Sequence, residues 1–211
     1  LDRLTFKKEK EGPVKCKGDG EEVIRSIFQD KEERIFIADK NGFVRIYAPK
    51  GSLIGYLKKD GNISKTRMPF GANVYSMLQD SHGILWLGTK PNGLFRLEET
   101  NGGNFSVKSF TQNTSRYSIN SNSIYAIKED RHGRILLGTF KGGLNIIKNP
   151  WSESPKFINC NNDIEHYPSQ AKCIHDMLLS PSGTLLLATN DGLFTCNMDR
   201  NPQKIRFQQN K

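Results

Sequence analysis

Residues 74–97 read VYSMLQDSHGILWLGTKPNGLFRL, and the pattern returns fifty residues later as IYAIKEDRHGRILLGTFKGGLNII in residues 124–147. Two further copies are IRSIFQDKEERIFIADKNGFVRIY in residues 24–47 and IHDMLLSPSGTLLLATNDGLFTC in residues 174–196. The spacing of Asp30, Asp80, Asp130 and Ser180 is fifty throughout, without a gap. A fixed period of this length indicates a repeat architecture, in which each copy is one supersecondary unit.

Each copy reads as strand, tight turn, strand, tight turn, strand. The first turn opens with the Asp or Ser, whose side chain is expected to bond local backbone N–H groups. Three residues later a glycine supplies the positive φ that a tight hairpin demands, at Gly83, Gly133 and Gly183. The first copy has Glu33 there and is expected to turn differently. The second turn ends on glycine in all four copies, at Gly42, Gly93, Gly143 and Gly192.

A fourth strand closes each copy, over Leu53–Leu57, Phe105–Phe110, residues 156–160 and residues 204–208. Four antiparallel strands at a constant period describe the blade of an all-β propeller. A β-sandwich is the structural alternative, but it does not explain an ungapped period. Small residues recur in the second strand and should let neighbouring blades approach closely, namely Ala38, Gly88, Gly138 and Ala188.

The predicted organisation is four complete blades, at residues 23–60, 61–110, 111–160 and 161–211. Residues 1–22 are predicted to hold the outer strand of a preceding blade and a link. Four blades and a stray strand suggest an arc of a larger, seven-bladed type of ring, with a closed four-bladed ring as the alternative. An open arc would leave sheet faces uncovered, and uncapped repeat arrays tend to associate.

The composition excludes several function classes. Apolar residues make up 36% of the 211 residues, and no apolar run is long enough to cross a bilayer. The start of the chain lacks the apolar core of a signal peptide, so any anchor or export signal is expected outside it. The net charge is +9, and residues 101–150 carry seven Lys and Arg against two Asp and Glu, without the basic runs of a nucleic-acid arm. Anionic partners other than nucleic acid are therefore allowed.

No enzyme motif supports catalysis, since HExxH, GxSxG and the P-loop pattern are all missing from the sequence. His82 and His132 share one turn position and are interpreted as turn residues. A pair formed by His166 with Asp163 or Glu165 is the remaining catalytic alternative, and a propeller-fold polysaccharide lyase or glycosidase the corresponding enzyme class. We predict no catalytic residue, no metal and no cofactor.

The four cysteines, Cys16, Cys160, Cys173 and Cys196, show no CxxC spacing, so a zinc site is not indicated. Cys160 and Cys173 flank one connection and could bridge it in an oxidising compartment. Buried free thiols are the alternative, because Cys173 and Cys196 fall at ends of predicted strands.

The copies resemble the two-component regulator propeller repeat, whose pattern runs Ile-x-x-Ile-x-x-Asp-x-x-Gly-x-Leu-Trp-Ile-Gly-Thr, a short gap, then Gly-Leu. The second copy matches at Asp80, Gly83, Trp86, Gly88, Thr89 and Gly93, and the third at Asp130, Gly133, Gly138, Thr139 and Gly143. The third copy has Leu136 in place of the tryptophan. The first and fourth copies depart from the pattern, with Ala38-Asp39 and Ala188-Thr189 for Gly-Thr.

The resemblance implies a role in signal transduction. Such repeats typically form the periplasmic sensor of Bacteroides-type hybrid two-component systems, in one polypeptide with a membrane helix, a histidine kinase and a response regulator. Many of these sensors detect breakdown products of polysaccharides. The implied partners are an oligosaccharide, further blades and the kinase, with a homodimer as one possible assembly. A propeller scaffold for protein–protein interaction is the alternative function.

Strand alternation places the second-to-third turn and the link to the next blade on one face, where function concentrates on loops. Aromatic rings beside Lys and Arg suit an acidic oligosaccharide, since these cations bind carboxylate or sulfate groups. The predicted binding residues on this face are Lys90, Arg116, Tyr117, Phe140, Lys141, Tyr167 and Lys172.

Overall fold

A computed structural model describes residues 23–199 and 201–210 as four antiparallel sheets, each a meander of consecutive strands. The first sheet contains β1 (Ile24–Gln29), β2 (Ile35–Asp39), β3 (Val44–Tyr47), β4 (Leu53–Leu57) and β5 (Ile63–Ser64). The second contains β6 (Asn73–Gln79), β7 (Leu85–Lys90), β8 (Leu94–Glu99) and β9 (Phe105–Phe110). The predicted strand for residues 1–7 and Cys16 lie outside the described residues.

The third sheet contains β10 (Ile124–Glu129), β11 (Ile135–Thr139), β12 (Gly143–Ile147) and β13 (Phe157–Ile158). The fourth contains β14 (Ile174–Leu179), β15 (Thr184–Thr189), β16 (Gly192–Asn197) and β17 (Phe207–Asn210). Short 3₁₀ helices occupy Ser169–Lys172 and Pro202–Lys204. No helix in the described ranges has the length and apolar character needed to cross a membrane.

The predicted architecture of four antiparallel blades is confirmed, with differences in the closing strands and with a fifth strand, β5, paired to β4 in the first sheet although its residues were predicted for the second blade. The outer strands β4 and β9 have the predicted bounds. The outer strand of the third blade is only Phe157–Ile158, because the next residue, Asn159, is buried and turns its amide to Ser118 O and Asn145 Oδ1. In the fourth blade the 3₁₀ helix, capped by Asn201, takes up the start of the predicted strand, so β17 begins at Phe207.

The core consists of three apolar layers, each between two successive blades. Phe36 of the first blade packs with Leu87 and Phe95 of the second. Trp86 of the second blade packs with Ile135 and Leu137 of the third. Leu136 and Ile146 of the third blade share a layer with Leu185 and Leu187 of the fourth. Alternate residues of each middle strand therefore face opposite neighbours, which explains why these strands are apolar on both faces.

Close approach between blades depends on the glycines predicted for this purpose. A Cβ added to Gly88 would lie 2.7 Å from Cγ2 of Ile124 in the next blade. A Cβ added to Gly138 would lie at the same distance, 2.7 Å, from Cγ2 of Ile174. Real Cβ atoms do not approach other carbons this closely, so both positions need glycine at the observed blade spacing.

In the first three blades the first turn is built around a buried carboxylate that bonds local N–H groups, as predicted, and in the fourth Ser180 Oγ accepts from the Thr184 N–H at 3.0 Å. Oδ1 of Asp80 accepts hydrogen bonds from the backbone N–H groups of His82 and Ile84, each at 2.9 Å. Oδ2 accepts one from Nε1 of Trp86 at 2.9 Å. In the third blade, where leucine replaces the tryptophan, Arg134 Nε donates to Oδ2 of Asp130 instead, at 2.6 Å. The Asp thus fixes the turn and also holds a side chain of the adjoining strand.

The expectation that the first blade turns differently is wrong. Glu33 has φ 61°, and its N–H donates to Asp30 O at 3.1 Å, just as the N–H of Gly83 donates to Asp80 O at 3.0 Å. The turn geometry is therefore kept, and Glu33 carries the left-handed strain that glycine avoids elsewhere.

The second turn is fastened by the motif threonines. Oγ1 of Thr89 donates to Gly93 O, and Oγ1 of Thr139 to Gly143 O, each at 2.7 Å. Gly93 and Gly143 have φ 80° and 71°. These contacts fix the turns after β7 and β11 and so the positions of Lys90, Phe140 and Lys141.

Candidate functional site

The innermost strand of every blade carries a β-bulge at the same repeat position. In the first blade Ile24 pairs with Asp39 and Ser26 with Ala38, so that Arg25 is left without a partner. The same register shift skips Tyr75, Tyr125 and His175 in the other three blades. A bulge bends its strand and re-aims a side chain, and bulges are frequent beside binding and active sites. Here four bulges present four side chains fifty residues apart.

These four residues, Arg25, Tyr75, Tyr125 and His175, form a continuous series that we name the bulge row. The Arg25 guanidinium lies over the Tyr75 ring, 5.2 Å from its centroid. The rings of Tyr75 and Tyr125 meet edge to face at 4.9 Å, and those of Tyr125 and His175 at 6.1 Å. Arg25 and His175 are exposed and the tyrosines half-buried, so the row forms part of the accessible surface.

Three of the predicted binding residues join the bulge row at Tyr125. Lys90 Nζ donates to the Tyr125 hydroxyl at 3.0 Å and lies 5.5 Å from the centroid of the Phe140 ring. The Phe140 and Tyr125 rings are 5.9 Å apart, and Lys141 Nζ lies 5.8 Å from the Phe140 centroid. We call the bulge row together with Lys90, Phe140 and Lys141 the rim.

The rim is electropositive, and Lys90 stays protonated within it. The hydrogen bond with Tyr125 raises the pKa of Lys90 above its usual value, whereas the neighbouring charge of Arg25 acts to lower it. His175 Nε2 is hydrogen-bonded to Asn190 Oδ1, which fixes the far end of the row. The rim therefore combines aromatic surface, positive charge and hydrogen-bond donors that lie beside the rings.

The predicted residue Tyr117 lies elsewhere, in a separate cleft of about 340 Å³ beside the outer strand of the third blade, and Arg116 is its exposed neighbour in the chain. Arg116 forms an ion pair with Asp163 at 3.2 Å. The Tyr117 ring is contacted by its own cations, with Arg116 Cζ at 5.3 Å and Lys156 Nζ at 4.9 Å from the centroid. The prediction therefore placed on one face residues that belong to two separate surfaces of the folded protein.

Tyr167 is engaged inside the protein. Its hydroxyl accepts from the Leu144 N–H at 3.0 Å and donates to Ala171 O at 2.8 Å, and its ring packs on Phe207 at 4.7 Å. Burial raises the pKa of this phenol. These contacts tie the link before the fourth blade to the third blade. Lys172 ends the adjacent 3₁₀ helix and is exposed.

His82, His132 and the described cysteines have structural surroundings. The backbone N–H groups of His82 and His132 bond the turn carboxylates, as predicted, and the His82 ring stacks on Trp151 at 4.2 Å. Cys160, Cys173 and Cys196 are free thiols, and burial raises the pKa of Cys196 to about 12. Among the residues described, no three His, Cys, Asp or Glu side chains group as metal ligands.

Sequence reasoning missed the bulge row as a unit. The signal was present, because Arg25, Tyr75, Tyr125 and His175 each follow the first apolar residue of an inner strand in strict register. From the alternation of apolar and polar residues alone, this position is an ordinary strand residue. The β-bulge that redirects its side chain cannot be recognised from the amino-acid composition. Only the pairing in the folded sheets shows that all four side chains share one surface.

Four meander sheets packed face to face through shared apolar layers define a β-propeller. Within it, residues 69–90 and 118–141 match the family model of the two-component regulator propeller. The matched segments, which lie in the second and third blades, are thus similar to the two-component regulator propeller repeat. No curated protein matches the sequence.

Solved structures of the same fold come from proteins of different kinds. PorZ, a surface component of the type-IX secretion system of Porphyromonas gingivalis, superposes with a TM-score of 0.64 at 17% identity, over 96% of this chain and 29% of PorZ. The extracellular domain of a putative hybrid two-component system from B. thetaiotaomicron superposes with a TM-score of 0.52 at 19% identity, over 89% of this chain and 28% of the other chain. The WD40 propeller domain of Doa1 superposes with a TM-score of 0.56 at 14% identity, over 89% of this chain and 51% of the Doa1 chain. The chain spans less than a third of the first two proteins.

Proposed function

We propose that this chain is the ligand-sensing propeller segment of a hybrid two-component signalling protein. It would lie in the periplasm, bind a breakdown product of a polysaccharide, and pass the signal to a histidine kinase outside this chain. The matched repeats and the propeller likeness to an extracellular hybrid-system domain support this assignment. In this proposal the chain performs no chemistry of its own.

The observation that carries the proposal is the bulge row. The rings of two tyrosines, Tyr75 and Tyr125, pack against each other on the accessible surface. Each tyrosine occupies the same β-bulge of its inner strand. Tyrosine combines a large apolar face with a polar tip, which suits a ligand that has both ring faces and hydroxyl groups. A saccharide has this mixed character.

The rim is a better candidate than the cleft at Tyr117. Beside the cleft, the charge of Arg116 is already paired with Asp163. At the rim, by contrast, the row spans all four blades, so a bound ligand would contact several repeats at once. Ligand contacts that cross blade boundaries can bias how blades sit on one another, which is what a sensor requires.

Calorimetric titration of the chain with a panel of neutral and acidic oligosaccharides tests the proposal. We expect binding by at least one saccharide and a loss of about tenfold or more in affinity for Tyr125→Ala, which removes the ring at the centre of the rim. Tyr117→Ala is the matched control, because it removes an equivalent ring from the separate cleft and should leave the affinity unchanged. Binding that depends on Tyr117 and ignores Tyr125 would place the site in the cleft instead.

A further inference from the structure

The cations of the rim differ from most arginines of the protein in having no acidic neighbour. Arg34, Arg45 and Arg134 each form an ion pair with a carboxylate of their own blade. Within the described ranges Arg25, Lys90 and Lys141 form no such pair; they contact aromatic rings and, for Lys90, a phenol. Their positive charge is therefore not neutralised locally.

Lys90 is the best placed of the three to bind an anion. It is half-buried, and its ammonium group is held between the Tyr125 ring at 5.6 Å and the Phe140 ring at 5.5 Å. An ammonium group has three N–H donors, and one of them is used on the Tyr125 hydroxyl at 3.0 Å. Two donors remain for a ligand.

Tyr125 adds a further donor at the same point. Because its oxygen accepts the hydrogen bond from Lys90, its own O–H is left to donate. An anionic oxygen group placed there would accept from both the ammonium and the phenol, and charge-assisted hydrogen bonds of this kind are the strong ones. Arg25, stacked on Tyr75 one blade away, adds long-range attraction and further donors.

We infer that the rim is an acidic-saccharide site, in which Lys90 and the Tyr125 hydroxyl bind a carboxylate or sulfate group and the row of rings contacts the sugar. This inference rests on the proposed function and narrows its ligand class. It assigns the anion to Lys90, with Lys141 and Arg25 supplying surrounding charge.

The test compares acidic and neutral versions of one saccharide on the same protein. Oligogalacturonides and their carboxyl-reduced counterparts serve as the carboxylate pair, and a sulfated oligosaccharide and its desulfated form as the sulfate pair. Wild-type protein is expected to bind at least one acidic member about tenfold or more tightly than its neutral counterpart, with an affinity that falls as salt is raised. The carboxylate and sulfate pairs identify which group the site accepts.

Three variants locate the anion. Lys90→Gln should weaken binding of the acidic saccharide by about tenfold and so remove most of the preference for it over the neutral one. Tyr125→Phe, which keeps the ring, should weaken the acidic saccharide by about fivefold and the neutral one by less. Lys59→Gln is the matched control, because Lys59 also lies over a ring, that of Phe95 at 5.9 Å, but away from the rim. Its affinity should equal that of the wild type.

Equal binding of the acidic and neutral members would overturn the anion assignment while the proposed function stands. An equal loss for Lys59→Gln and Lys90→Gln would also overturn it, since net charge alone would then explain the preference. If neither member of either pair binds, both the assignment and the proposed function are contradicted.

Discussion

At the scale of single residues, an Asp fixes the first turn in each of the first three blades. Asp30, Asp80 and Asp130 are all buried, and each binds a backbone N–H four residues ahead. This role was predictable, because the spacing Asp-x-x-Gly marks a tight turn whose carboxylate bonds local N–H groups. The second carboxylate oxygen, shared with Trp86 or an arginine, was not predictable, since it depends on side chains brought together by the sheet.

Asp80→Ala is expected to lower the free energy of unfolding by about 2–4 kcal/mol, because it removes the acceptor of three hydrogen bonds, two of which are buried. Glu165→Ala, at an exposed position, should change it by no more than about 0.5 kcal/mol. Urea denaturation followed by the fluorescence of the tryptophans measures both. A similar small change for the two variants would contradict the role given to the turn carboxylate.

Glu33 provides a second test at this scale. Its φ of 61° is occupied by glycine at the equivalent Gly83, Gly133 and Gly183. Relief of left-handed strain worth about 1–2 kcal/mol outweighs the entropy glycine adds to the unfolded chain, about 0.5–1 kcal/mol. Glu33→Gly should therefore raise the midpoint of thermal unfolding slightly.

The reciprocal change, Gly83→Ala, should lower that midpoint. No atom lies within 4 Å of a Cβ added to Gly83, so the backbone conformation alone causes the loss. The two changes in opposite directions are the expected result. A loss for Glu33→Gly would show that its side chain, rather than its backbone, stabilises the turn.

At the scale of strands and sheets, one backbone irregularity repeats in all four blades and creates the candidate site. The bulges at Arg25, Tyr75, Tyr125 and His175 belong to the innermost strands, whose apolar neighbours Val74, Ile124 and Ile174 are fully buried. The period, the strands and the turns followed from the sequence by pattern. The bulge row did not, because periodicity predicts which face a residue occupies only when the register is unbroken.

Blade spacing gives a prediction at the same scale. Gly138→Ala should destabilise the protein by about 1–3 kcal/mol, because its Cβ would overlap Ile174 in the fourth blade and force the sheets apart. Gly102→Ala is the matched control, since a Cβ there meets nothing within 4 Å and should change stability by about 0.5 kcal/mol or less. Chemical denaturation compares the two. Equal stabilities would mean that the interface between the third and fourth blades is not closely packed.

At the scale of the whole molecule, the two end blades expose positions that inner blades bury. Ile27 is 67% exposed, whereas its equivalent in the third blade, Ile127, is 4% exposed. On the fourth blade Leu178 and Leu193 are exposed, although Leu94 and Leu144, which match Leu193, are fully buried. The repeat pattern predicted uncovered faces of this kind for an arc of blades.

Such faces should make the isolated chain associate as its concentration rises, because contiguous apolar surface on a soluble protein favours contact with another surface. Leu178→Lys is expected to reduce this association. Met68→Lys is the control, since Met68 is also exposed but lies in the link before the second blade, and it should have little effect. Light scattering over a concentration series measures the change, and a wild-type chain that stays monomeric throughout would contradict the prediction.

An NMR titration tests most directly whether the bulge row and its neighbours form the ligand-binding surface. Backbone and side-chain signals of the labelled chain are followed while an acidic oligosaccharide is added. We expect shifts that concentrate on Tyr75, Lys90, Tyr125, Phe140 and His175, in three different sheets or their turns, with saturation at one affinity. Shifts confined to the cleft around Arg116 and Tyr117, or the absence of any saturable shift, would contradict it.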